Sequence, residues 1–273
     1  VPPPVLPNHQ FWRDEALPFL EARAIHDGRA VCYARHAHET FSIGTVTGGQ
    51  SIYVNGKVRE RIAAGAVVVM NPGDAHACNP LGHQPWSYRM LYVDALWLNR
   101  LQHELGFSKN RGLRAFSTRV TYSPSLYAGL NQLYAILNDE RAEQLHKHSA
   151  AISFFAEVQR QLDPAPGVPA EANHKLARAA EYIDAHCTRT LKLDEICTAA
   201  DLSASYLIRA FKQRYGMTPH EYLLNRRIQF CRARLRRGQA IADLALEAGF
   251  ADQAHFQRAF KRLVAATPGQ YRG

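Results

Sequence analysis

The spacing of apolar residues changes twice along this 273-residue chain, and each change marks a boundary. Over roughly residues 29–95 the apolar positions come in short β-branched or aromatic runs: Val31–Ala34, Phe41–Val46, Ser51–Val54 and Ala66–Met70. Turn formers separate them, at Gly48-Gly49, Asn55-Gly56 and Asn71-Pro72-Gly73-Asp74. Asn55-Gly56, set between two alternating runs, is the strongest hairpin signal. The series predicts a small barrel or sandwich of antiparallel strands.

After Ser123-Pro124 the period lengthens to that of a helix. Leu126, Leu130, Leu133 and Leu137 form one stripe, and Leu145, Ser149, Ile152, Phe155 and Leu162 a second. Two antiparallel amphipathic helices should close the first domain. Their stripe either covers the strands or serves a homodimer through residues 125–162. Residues 163–172, with three prolines and a glycine, cannot continue a helix and read as a linker. Beyond it every segment has helical spacing: His174–Cys187, Leu193–Ala200, Ser203–Tyr215, Pro219–Arg237, Ala240–Ala248 and Asp252–Leu263. The expected organisation is therefore 1–162, a linker at 163–172, and 173–273.

The helical part repeats. Leu193–Ile196 corresponds to Ile241–Leu244, Arg209-Ala-Phe-Lys212 to Arg258-Ala-Phe-Lys261, and Thr218-Pro219 to Thr267-Pro268. Each copy has a short helix, a tight turn, an N-cap (Ser203 or Asp252) and a second amphipathic helix, the outline of a helix-turn-helix. In the first copy Leu207, Ala210 and Phe211 must pack inward with Leu202. Ser205, Ile208, Arg209 and Lys212 then face out. In the second, Phe256, Ala259, Phe260 and Leu263 pack inward, leaving Gln253, Ala254, Gln257, Arg258 and Lys261 outside. Arg suits guanine, Gln suits adenine, and apolar side chains meet thymine methyl groups in a major groove. Pro219–Arg237, a rod of roughly 28 Å, would join the two reading helices. Its Arg226, Arg227, Arg232, Arg234, Arg236 and Arg237 would meet phosphates on whichever faces turn to the DNA.

Charge sharpens this picture. The net charge is +9, of which residues 173–273 carry +8, so the excess sits on the repeated helices and favours a polyanionic partner. No apolar run approaches the ~18 residues of a membrane span, so no membrane partner is expected. Val1-Pro2-Pro3-Pro4 has neither a basic start nor an apolar signal core. Five scattered cysteines without a CxxC pair suit a reduced cytoplasm better than a disulfide framework.

The segment Leu193–Tyr271 resembles the AraC/XylS transcriptional regulators. The resemblance rests on Ser203-x3-Leu207-x-Arg209-x-Phe211-Lys212, Gly216-x-Thr218-Pro219, Ala245-x2-Ala248-Gly249-Phe250 and Phe256-x-Arg258-x-Phe260-Lys261. Asp201 stands in the turn where glycine is usual, and Asp tolerates left-handed backbone better than most residues. The resemblance implies a double-stranded DNA operator, RNA polymerase as a partner, and an N-terminal domain that senses a small-molecule effector or mediates dimerisation.

That first domain has its own resemblance. His36-Ala37-His38, Gly48-Gly49 and Gly65-x6-Pro72-Gly73-x2-His76 look like the two cupin signatures. The expected fold is thus α+β: a cupin-like antiparallel β-barrel with two C-terminal helices, then an all-α double helix-turn-helix domain. Alternation along a strand lets His36 and His38 enter the barrel together. The carboxylate that metal-dependent cupins add is missing: Ser42 and Ile43 stand near its place, and Glu39 should point the other way. The three histidines therefore fit a polar effector pocket better than a metal centre, with Tyr53, Trp86, Tyr88 and Arg89 as further candidates. A metal would take His36, His38 and His76, with Cys78 as an additional ligand. Hydrogen-bonded core histidines are the plain alternative. No cofactor is expected, and no Ser-His-Asp set, phosphate loop or paired carboxylates stand elsewhere. The leading expectation is a ligand-responsive, sequence-specific transcriptional regulator and not an enzyme. The alternatives are a metal-dependent cupin enzyme with secondary DNA binding, and a nonspecific nucleic-acid packaging module.

Overall fold

The computed structural model describes residues 9–29, 31–82, 84–107, 112–162 and 174–272. The proline-rich start and the expected linker at 163–172 lie outside the described residues. The chain divides into two compact units, one dominated by strands and three helices, the other by seven helices.

The strands are β1 His9–Arg13, β2 Leu20–Ile25, β3 Phe41–Gly48, β4 Gln50–Asn55, β5 Val58–Ala63, β6 Val67–Met70, β7 His76–Pro80, β8 Ser87–Val93 and β9 Val120–Thr121. They form a six-stranded sheet of order β1-β2-β8-β3-β6-β9 and a three-stranded sheet of order β5-β4-β7. The β4–β5 hairpin lies where Asn55-Gly56 predicts it, shifted by one residue. Asn55 pairs with Val58, so Gly56 opens the two-residue loop, with the positive φ of +58° that glycine supplies there. The strand expected at Val31–Ala34 is not formed.

Register assigns each face of the larger sheet. Ala22, Leu91 and Ile43 are paired neighbours across β2, β8 and β3, and all are fully buried under helices. Those helices are α1 Ala95–Glu104, α2 Pro124–Asn138 and α3 Gln144–Gln161. Leu126, Leu130, Leu133 and Leu137 of α2 are buried, as their spacing requires. The stripe expected on α3 needs correction. Leu145 is 75% exposed, Ile152 is 40% exposed and Ser149 also faces out, while Ala151, Phe154, Phe155 and Val158 make the buried face. The polar Lys147 belongs to that buried face, with its ammonium 6.0 Å from the Trp12 ring centroid. A long stem of this kind packs like an apolar residue, which conceals the true register from hydrophobicity alone.

The second unit holds α4 His174–His186, α5 Leu193–Ala200, α6 Ala204–Tyr215, α7 Pro219–Leu235, α8 Ile241–Glu247, α9 Gln253–Val264 and α10 Pro268–Arg272. Thr218 and Glu221 build a reciprocal capping box at the start of α7, with Pro219 in the first turn. Gly238, at φ +82°, follows its end. The turn of each repeat uses a left-handed residue. Asp201 takes φ +53° in the first and Gly249 φ +74° in the second. Lys175 holds Asp201 through an exposed ion pair of 2.7 Å.

Candidate functional site

In each repeat the second helix carries the residues expected to read DNA, although Ser203, at the N-cap position of α6, makes no side-chain capping bond. The Asp252 carboxylate accepts from the His255 backbone N–H at 2.6 Å and starts α9. Phe256, Ala259, Phe260 and Leu263 are buried on one side of it. Gln253, Ala254, Gln257, Arg258 and Lys261 consequently face solvent. In α6, Leu207 and Phe211 are fully buried, so Ser205, Ile208, Arg209 and Lys212 are exposed. Arg258 also lines, with Arg262, His255 and Glu221, a cavity of about 520 Å³ between α9 and the start of α7.

The arginines of α7 behave differently from the phosphate-contacting row expected of them. Arg227 is buried and donates to the Cys187 and Arg189 carbonyls, both at 2.8 Å, with its guanidinium over the Phe250 ring. Arg226 pairs with Asp184 at 2.7 Å and Arg234 with Glu247 at 3.0 Å. Arg232 lies over the Tyr271 ring. Four of the six thus bind the helical unit together, because α7 packs against α4, α6, α8, α9 and α10 and has little open face. Arg236 and Arg237, past the end of the helix, are exposed.

His36, His38 and His76, the histidine cluster expected from the sequence, are all buried. His36 and His76 form an isolated antiparallel bridge, with backbone N–H···O distances of 3.0 and 2.9 Å, and their ring centroids lie 4.5 Å apart. The Nδ1 of His36 bonds the Ala34 carbonyl and that of His76 the Asp74 carbonyl, each at 2.8 Å. His38 packs edge-on against Tyr92. Burial lowers the His76 pKa, opposed by the bond to Asp74. Cys78 is outside this cluster: its sulfur bonds Ser51 at 3.0 Å, and burial pushes the thiol up to about 12.

The remaining effector candidates separate. Trp86 and Tyr88 stack on each other, and the Trp86 indole N–H donates to the Gly28 carbonyl. Tyr53 is fully buried with its hydroxyl donating to the Val69 carbonyl. Arg89 points the other way from Tyr88, as alternation along β8 demands. It bonds Asn131 at 2.7 Å and covers the Tyr134 ring, both on α2. On the Tyr88 side the register aligns Ser42 with two residues not expected from the sequence, Glu21 and Arg23, all buried, beside Tyr92 and Met90. Arg23 is 2% exposed, bonds His9 Nδ1 at 2.9 Å and lies over the Phe11 ring. Glu21 pairs with Arg13 at 2.8 Å. The alternation Leu20-Glu-Ala-Arg-Ala-Ile25 carries the signal, but a strand with one wet face has the same pattern.

Comparison with known proteins matches both units. A family model described as an AraC-like ligand binding domain matches residues 21–155, and one described as a helix-turn-helix domain matches residues 196–273. The chain is an AraC-type transcriptional regulator. The regulator is 26% identical over 226 residues to the HTH-type transcriptional regulator YbfI of Bacillus subtilis (strain 168), covering 82% of this chain and 81% of that protein. It is 36% identical over 81 residues to the regulator MtrA of Neisseria gonorrhoeae, covering 29% and 27%. Its fold is similar to that of ToxT from Vibrio cholerae bound to an unsaturated fatty acid. That match has a TM-score of 0.62 and 16% identity, covering 95% of this chain and 97% of that one. The α+β fold of this regulator, a sheet-rich ligand-binding domain followed by a helical helix-turn-helix domain, agrees with that neighbour. None of the regulator's described helices is long and apolar enough to cross a membrane.

Proposed function

We propose that this regulator reads a specific operator in the cytoplasm with α6 and α9, and that a small molecule bound by its strand-rich domain changes that reading. Residues 1–162 would sense, 163–172 would link, and 173–273 would bind DNA. The observation carrying the base-reading assignment is the division of both helices into a buried apolar face and an exposed face of Ser205, Ile208, Arg209 and Lys212, or Gln253, Ala254, Gln257, Arg258 and Lys261. These side chains offer base-edge hydrogen bonding and apolar contact, whereas four α7 arginines are engaged within the helical unit. The test is selection of binding sites from random duplexes, followed by Arg258→Ala. That change should relax preference at one base position at a cost of ~1–3 kcal/mol. Equal weakening on every sequence would show a phosphate contact instead.

The effector would lie along the polar face that carries Arg23, Ser42, Tyr88 and Tyr92, with His38 packed against Tyr92. Trp86 remains a candidate for its rim; Arg89 and Tyr53 do not, since their polar atoms serve α2 and β6. A carboxylate-bearing molecule suits the buried guanidinium of Arg23, and the fatty acid bound by ToxT is of that class. Exposed Leu145 and Ile152 favour a homodimer through α3, and RNA polymerase is the expected partner at a promoter. The reading assigns no catalytic residue.

A further inference from the structure

We propose that the cavity between α9 and the start of α7 is a phosphate-binding site, where Arg262 and His220 grip the DNA backbone beside the groove that α9 reads. The inference rests on the proposed base reading and adds to it a contact that carries no sequence information.

The cavity, about 520 Å³, lies wholly within the helical unit. Arg258 and Arg262 line it from α9, and Thr218, His220 and Glu221 from the start of α7. A helix with its side chains is about 10–12 Å across, and the major groove is about 12 Å wide. A helix seated there turns one face to the base edges and its flanks to the sugar–phosphate walls. Arg258 belongs to the exposed reading face of α9, and Arg262 follows one turn later on the flank toward α7.

The cations at this flank are available. Among the described residues, the Arg258 and Arg262 guanidiniums enter no hydrogen bond or ion pair, whereas Arg226, Arg227 and Arg234 of α7 are engaged inside the unit. A guanidinium pairs with phosphate oxygens through two parallel N–H donors. His220 is exposed and keeps a ring N–H to donate in either tautomer. Glu221 is the one acid that lines the cavity among the described residues, and it is already occupied. Its carboxylate accepts from the Thr218 N–H at 2.8 Å and from the Thr218 hydroxyl at 3.0 Å. The Thr218 N–H first, then its hydroxyl and the charges of Lys212 and Arg262, hold the Glu221 carboxyl below its usual range against burial. Its negative charge opposes an entering phosphate and weakens the grip of the cations. A free phosphate-bearing molecule would use the same donors, and the volume admits one. The DNA backbone is favoured because Arg258 both lines the cavity and belongs to the reading face.

The experiment uses the full chain, a duplex from the site selection and a scrambled one, with binding measured by fluorescence anisotropy over a series of salt concentrations. Arg262→Gln should lower the slope of log K against log salt by about 0.9 and weaken binding about 8-fold at 0.1 M salt, alike on both duplexes. Arg262→Lys should restore most of that slope, since an ammonium also binds phosphate as a point charge. Glu221→Gln keeps the capping box, which accepts Gln at that position. It should tighten binding to both duplexes about 2-fold, the scale of a unit repulsion across several ångströms of water. Circular dichroism checks each fold, and should Arg262→Gln unfold, Glu221→Gln still decides. Inorganic phosphate, titrated without DNA at constant ionic strength, should show no saturable binding. An unchanged slope in folded Arg262→Gln, a loss confined to the selected duplex, or unchanged binding by folded Glu221→Gln would overturn the assignment. So would saturable phosphate binding that Arg262→Gln abolishes, which would give the cavity to a free anion. A chain that selects no sequence would refute the base reading, while the slope change on any duplex would still support the phosphate contact.

Discussion

Arg227 offers the sharpest test of the α7 reading, because its sequence context and its environment assign it opposite roles. Replacing it with Met keeps much of the stem but leaves the Cys187 and Arg189 carbonyls without their 2.8 Å donors and removes the cation from the Phe250 ring. A hydrogen bond to a charged group contributes about 1.5–3 kcal/mol and a desolvated cation–π contact about 2 kcal/mol. Burial opposes these gains and lowers the guanidinium pKa. The net loss should be about 3 kcal/mol, a large part of the ~5–15 kcal/mol that holds a domain folded. The tryptophans, Trp12, Trp86 and Trp97, all lie in the strand-rich unit. Unfolding of the helical unit is therefore best followed by hydrogen exchange at α4 and α8 amides in the full chain. Protection there should fall by about 100-fold, since each 1.4 kcal/mol is a factor of ten. The salt dependence of DNA binding should keep its slope in samples that remain folded. Unchanged protection together with a slope reduced by about one phosphate contact would refute the structural role.

Three further outcomes follow from positions already described. His9 is lowered to about 4 by burial first and by Arg23 second. The unfolded chain therefore binds more protons between pH 6.5 and 4, and native stability should fall as pH drops through that window. His9→Asn should flatten this part of the profile in denaturant titrations at several pH values. At the paired turns, Gly249→Ala should destabilise more than Asp201→Ala. Both demand positive φ, but only at Gly249 would a Cβ meet backbone, 2.6 Å from the Thr188 carbonyl oxygen. Asp201→Gly should lie within about 1 kcal/mol of the native chain, and thermal melts rank all three. The homodimer proposed through α3 should dissociate more readily in Leu145→Asp, read by sedimentation over a range of concentrations. An unchanged distribution would show that α3 is not the contact.

Much of the helical unit was legible because its periodicity is local. Phe256, Ala259, Phe260 and Leu263 fall on one face by spacing alone, and Asp252 announces the start of their helix. The strand-rich unit was harder because its pairs are distant in sequence. β2 contacts β8 across more than sixty residues, and β1 lies on the outer side of β2. Neither strand was expected, and Glu21 and Arg23 went unseen as buried residues. His36 and His76 were legible as part of a spacing, but the carbonyls of Ala34 and Asp74 that orient their rings depend on backbone geometry. The α7 arginines misled for a related reason: charge count records how many cations exist and says nothing of which carbonyls and carboxylates consume them.

Those consumed arginines have a consequence for the operator. Arg226 ties α7 to α4, Arg227 to the α4–α5 connection, Arg234 to α8 and Arg232 to α10, so both helix-turn-helix elements are fastened to one ruler. A site with about 5 extra base pairs between its two recognition segments would turn the second by half a helical revolution, out of reach of a protein that cannot twist to follow. Tolerance of altered spacing should therefore be far narrower than tolerance of altered bases.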